Sequence, residues 1–83
     1  MARIAQFQEK TSDTHKIHKD VRCGYKIFRV EGETILQLDT YGSAERQELD
    51  QMSQSIQLDE DAAEYLLRLM HHAFPDIRNR SAR

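Results

Sequence analysis

His15, His18, Cys23, His71 and His72 are the residues whose types could hold a transition metal or, for the cysteine, act as a nucleophile. A structural zinc site takes four ligands in two close pairs, and a catalytic site takes three with a supporting shell. Only His15 and His18 have a close spacing. His71 and His72, adjacent in a helical pattern, point about 100° apart and suit the negative end of a helix dipole better than a shared metal. Cys23 falls on the apolar side of an alternating segment and reads as a buried, inert thiol. The carboxylate pairs Asp59 with Asp61 and Glu48 with Asp50 fall in a helix cap and a loop, and no P-loop, dinucleotide fingerprint or HExxH motif is present. The expectation is a non-enzyme with neither cofactor nor metal.

A different set of residues suits a different chemistry. Lys16, Lys19, Arg22, Lys26 and Arg29 could place phosphates, Phe28 and Tyr41 offer flat faces on which any base can stack, and Gln37, Ser55 and Gln57 could reach sugar or base edges. Asp39 shares their side of the pattern and works against a polyanion. This set predicts nucleic-acid binding, most simply of single-stranded DNA. The alternative is an adaptor or assembly subunit whose polar face, or acidic helix with Glu60, Asp61 and Glu64, docks a protein.

The elements that must position these residues follow from periodicity. Residues 21–30, VRCGYKIFRV, and 33–41, ETILQLDTY, read as antiparallel strands joined at Glu31 and Gly32, where glycine supplies the positive φ of a two-residue hairpin. Val21, Cys23, Tyr25 and Ile27 share one side with Leu36 and Leu38, the side expected to face the helix and form the core. Arg22, Lys26, Phe28, Gln37 and Tyr41 share the other. Arg3–Gln8 reads as a short edge strand, residues 9–20 as a polar loop or arm, and residues 42–51 as a polar connection. In residues 52–58 the period is two, with Gln54, Ile56 and Leu58 on one side and Ser53, Ser55 and Gln57 on the other. The period then changes. Asp59 is an N-cap, Glu60 and Asp61 favour the first turn, and Ala63, Leu66, Leu67, Met70 and Phe74 form an apolar stripe that Pro75 ends. The predicted fold is α+β, a four-stranded antiparallel sheet with one C-terminal helix on one face. It is a single domain over residues 1–83, with a basic tail at 76–83.

Eighty-three residues with one cysteine and no internal disulfide make a marginal monomer, so a homodimer is expected. Charge supports both self-association and nucleic-acid contact. Residues 1–30 carry seven Lys or Arg against three Asp or Glu, residues 31–76 two against eleven, and residues 77–83 three against none. The lone cysteine and the lack of any signal-peptide or membrane-span run predict a soluble protein of the reducing cytoplasm.

The order of strands and helix, with Ser55, Ile56, Gln57 and Leu58 leading into an acidic cap and apolar stripe, resembles the small dimeric single-stranded-DNA binders of the transcriptional-coactivator and whirly type. That resemblance spans Tyr25–Phe74 and implies DNA binding by a dimer. Where that family has a basic, glycine-containing approach to the last strand, this chain has Glu48, Leu49, Asp50 and Gln51. Leu36–Ser43 (LQLDTYGS), Ser53–Glu60 (SQSIQLDE) and Phe74 with Pro75 are similar to short bacterial proteins labelled methionyl-tRNA formyltransferase-like. A folate-dependent transferase needs a much larger domain than this, so the label carries over no mechanism.

Overall fold

A computed structural model of the chain describes residues 1–42 and 52–80, with side chains described as far as Ile77. It is an α+β arrangement of β1 (Ala2–Arg3), β2 (Cys23–Val30), β3 (Glu33–Tyr41), β4 (Met52–Leu58) and α1 (Glu60–Ala73), followed by a 3-10 turn, Pro75–Arg80. The polar connection read from the sequence, including Glu48, Leu49, Asp50 and Gln51, lies outside the described residues apart from Gly42, as does the end of the basic tail, 81–83.

The hairpin turns on two residues. Glu31 and Gly32 have φ of 52° and 78°, both in the left-handed region that a type I′ turn needs at its two central positions. Val30 closes the turn against Glu33, and the pairing then runs along β2 to Cys23 opposite Thr40. β4 lies antiparallel on the other side of β3, giving the order β1-β4-β3-β2.

The sheet is mixed, which corrects the expectation of a wholly antiparallel one. β1 pairs parallel to β4, with Ala2 opposite Ile56 and Arg3 opposite Gln57, and the Ile4 N–H extends the ladder to the Gln57 carbonyl at 3.0 Å. β1 and β2 occupy opposite edges, so residues 4–22 must travel from one edge of the sheet to the other. A connection of that length imposes no hairpin direction on β1. The strand is also shorter than Arg3–Gln8, because beyond Ile4 the chain turns along the helix, where Phe7 stacks on Tyr65.

At the junction of sheet and helix, Asp59 has extended backbone and its carboxylate accepts from the Ala62 N–H at 2.9 Å. The same carboxylate accepts from the Arg3 guanidinium at 3.0 Å, and Arg3 also binds Glu33 at the hairpin end. One arginine thus ties the first strand, the hairpin and the helix cap together. At the other end the Phe74 N–H donates to the Met70 carbonyl, and Pro75, which has no N–H to continue the helix, begins the 3-10 turn.

Among the described residues the buried ones are few: Ile35, Leu58, Ala62 and Ser55, with Leu58 only 2 % exposed. Ala62 is the one buried residue of α1, whose contact with the sheet is mainly to β4. The expectation that the stripe would cover Tyr25, Ile27 and Cys23 is therefore corrected, because all three are exposed. The helix leaves from the end of β4 and does not extend over the β2 edge. Among the described residues no helix is long and apolar enough to cross a membrane.

Candidate nucleic-acid interface

Cross-strand partners point to the same side of a sheet, so the register sorts the candidate residues. Lys26 pairs with Gln37, Gln37 with Gln57, and Asp39 with Ser55, while Arg3 pairs with Gln57 from the far side. Phe28 and Ile35 share that side, and so does Tyr41 by alternation along β3. The opposite side carries Tyr25, Ile27, Arg29, Leu36, Leu38, Ile56 and Leu58. The structure thus gathers Lys26, Phe28, Gln37, Tyr41, Ser55 and Gln57 on one mixed face. Arg29 lies on the other face, with its guanidinium on the Thr34 hydroxyl at 2.8 Å and the Gly32 carbonyl at 3.1 Å. Lys16 and Lys19 stand on the exposed arm, residues 9–20, where no helix or strand forms.

Two cation–aromatic pairs stand on the mixed face. The Arg22 guanidinium carbon lies 4.6 Å from the Tyr41 ring centroid, and the Lys26 Nζ lies 5.6 Å from that of Phe28. Arg22 is brought there by the backbone, since its carbonyl accepts from the Tyr41 N–H at 3.0 Å. Below the ring lies Gly24. A Cβ at that position would come within 3.3 Å of both Tyr41 Cε2 and its hydroxyl, so the missing side chain is what lets the ring settle on the strand. A lone glycine inside an otherwise side-chain-rich strand was the signal for this close approach.

Between the aromatics and the β1 edge runs a chain of amides. Gln57 Nε2 donates to Gln37 Oε1 at 2.9 Å, and Gln37 Nε2 donates to both Asp39 carboxylate oxygens at 3.0 and 3.2 Å. The Asp39 charge is thereby partly engaged by an amide in place of water. A hollow of about 280 Å³ opens beside this chain, lined by Met1, Ala2, Arg3, Gln37, Met52, Ser55 and Gln57. Met52 reaches this side because a bulge opposite Thr40 and Tyr41 inserts Ser53 as an extra residue. Ser53 itself turns to the Thr40 hydroxyl, 3.4 Å away, and leaves the mixed face. The face is not uniformly open either, since Ile35 and Ser55 on it are buried.

Among the described residues, the charged groups whose titration is displaced lie at its border. The Asp59 carboxyl is held below the usual carboxylate range, first by the Ala62 N–H and then by Arg3, and Arg3 is raised by its hydrogen bonds to Glu33 and Asp59. Both shifts belong to the tie at the helix cap. Among the described residues no group of three or more His, Cys, Asp or Glu is placed to hold a metal ion. No protein-family model, no curated protein and no solved structure matches the chain.

Proposed function

We propose that the mixed face binds single-stranded nucleic acid without catalysis, in a cytoplasmic homodimer. The observation that supports it is the pair of cation–aromatic contacts, Arg22 on Tyr41 and Lys26 on Phe28, on the same face as the Gln37–Gln57 amides. Single strands are held by cations that follow the phosphates and by flat side chains that receive bases, and arginine planes stack bases as readily as rings do. A base that displaces the Lys26 ammonium from Phe28 frees that charge for the adjacent phosphate. Gln37 and Gln57 present amide groups to base edges or sugars, and DNA is the preferred polymer, as the resemblance to the coactivator and whirly binders implies. Lys16 and Lys19 on the arm extend the phosphate contacts beyond the sheet.

Titration of fluorescent single-stranded DNA, duplex DNA and RNA of one length at two salt concentrations tests the reading. It requires single strands to bind more tightly than duplex, with affinity falling as salt rises. Absence of binding at low salt would leave the adaptor reading, in which the polar face or the acidic start of α1 meets a protein.

A further inference from the structure

Asp39 is the residue of the mixed face that suits a polyanion least, and its hydrogen bonds give it another use. A carboxylate accepts and does not donate, so the group that Gln37 turns toward it has to be the amide nitrogen, which lies 3.0 and 3.2 Å from the two Asp39 oxygens. That choice points Gln37 Oε1 toward β4. Gln57 then has to meet it with its own nitrogen, at 2.9 Å. Two amides that could each sit either way round are held one way round by a single charge.

The relay consumes donors and leaves acceptors. All three of its contacts draw on the amide N–H groups of the glutamines. Gln57 Oε1 has no hydrogen-bond partner among the described residues, and Asp39 keeps lone pairs beyond those it uses. The hollow of about 280 Å³ beside them is lined by both glutamines, with Ala2 and Met52 as apolar walls. Its size falls just under the roughly 300–1,000 Å³ of small-molecule sites, which suits one planar base and little more. The other polar groups of the lining do not replace the missing donors, since the Arg3 guanidinium is engaged by Glu33 and Asp59 and Ser55 is 6 % exposed. Lys26, Gln37 and Gln57 stand in one row across three strands, about 10 Å from end to end. A phosphate held at the β2 edge therefore leaves its base directed at the hollow.

We propose that this hollow reads the edge of one base and prefers an exocyclic amine to a carbonyl, with Asp39 as the positioning residue that sets the preference through Gln37 and Gln57. The inference rests on the nucleic-acid reading of the face. An amine brings N–H groups to Gln57 Oε1. A carbonyl in the same place sets oxygen against oxygen, and amides that cannot turn over give it no relief. Cytosine and adenine present that amine, whereas thymine and uracil present the carbonyl.

Cytosine and uracil differ only along this edge, so oligodeoxycytidine and oligodeoxyuridine of one length are the probes, titrated at neutral pH and low salt. Wild type should bind the cytidine strand about fivefold more tightly, the lower end of what one read base is worth. Asp39→Ala frees both amides and should bring the two affinities within about twofold of each other. It should not weaken binding of the uridine strand, because a negative charge has gone. Gln57→Lys puts a donor where the acceptor stood and should reverse the preference. Circular dichroism checks that both variants fold, and a merely structural loss, which lowers both affinities, would leave their ratio unchanged. Equal binding of the two strands by wild type would overturn this inference alone and leave the proposed function standing. A preference that survives either substitution would do the same. Binding of neither strand would remove the nucleic-acid reading, and this one with it.

Discussion

Lys26 and Phe28 touch, yet the proposed binding mode gives them different work, and salt separates the two. Each phosphate contact on a single strand contributes about −0.7 to the slope of log affinity against log salt. Lys16, Lys19, Arg22 and Lys26 together would give a slope of about −2.8, or a loss of roughly 50-fold in affinity between 50 and 200 mM salt. Lys26→Ala should flatten the slope to about −2.1, so that the same change in salt costs roughly 18-fold. Phe28→Ala removes a stacking platform worth about 1 to 3 kcal/mol, or roughly 5- to 150-fold in affinity, and should leave the slope unchanged. Removing Lys26 also uncovers the ring that its ammonium faces at 5.6 Å, so the lysine variant should lose less affinity at high salt than at low. Fluorescence anisotropy with a short oligothymidine over a salt series measures both quantities. Affinity within about twofold of wild type for Phe28→Ala, or a slope that falls as much as for Lys26→Ala, would refute the division of roles.

Leu58→Ala should destabilise the protein by about 2 to 5 kcal/mol, since Leu58 is 2 % exposed where β4 meets α1; chemical denaturation measures it, and a change below about 1 kcal/mol would mean the site collapses around the smaller side chain. Asp59 titrates lower in the folded chain than in the unfolded one, so its contribution is complete above the ordinary Asp value of about 3.9 and is lost as pH falls through its folded value. Asp59→Asn keeps a capping oxygen and removes the titration, so thermal melts from pH 7 downward should show wild type and variant converging in acid. A constant gap between the two would contradict the assignment. Glu31→Asn places a residue that tolerates the left-handed region where φ is 52°, and should raise stability by about 1 kcal/mol, seen as a melting shift of about 4 to 8 °C.

The hairpin, the last strand and the capped helix were legible in the sequence because each rests on local chemistry. The positive φ at Gly32, the alternation through β4 and the carboxylate of Asp59 act within a few residues of themselves. The non-local facts were not legible. Nothing in Arg3 announces that it will bridge Glu33 and Asp59, and the parallel pairing of β1 depends on which strand edge stands open, which no window of sequence contains. Cys23, Tyr25 and Ile27 were placed in the core by alternation, which shows that residues share a side and not that anything covers that side. The mixed face was assembled from parity alone, and the register gives the same grouping for Lys26, Phe28, Gln37 and Tyr41. Parity misassigned Ser53, because one bulge shifts every residue beyond it.

That sensitivity to a single residue gives the turn at Glu31 and Gly32 a functional consequence. Side chains alternate with a period of two, so sliding β2 by one residue against β3 would bring Tyr25 and Ile27 to the side of Gln37 and send Lys26 and Phe28 away from it. The cation–aromatic face and the apolar patch are therefore separated by register, and the register is set by a two-residue turn that begins with an unfavourable glutamate. Arg29 supplies a remedy. From the face opposite Lys26 its guanidinium reaches the Gly32 carbonyl and the Thr34 hydroxyl, bracing the turn from the strand that enters it. We therefore propose that Arg29 stabilises the register and is not among the phosphate contacts, and the salt slope above counts four cations accordingly. Arg29→Ala should then lower stability and leave that slope unchanged, whereas a slope lowered to the same extent as by Lys26→Ala would place Arg29 among the phosphate contacts.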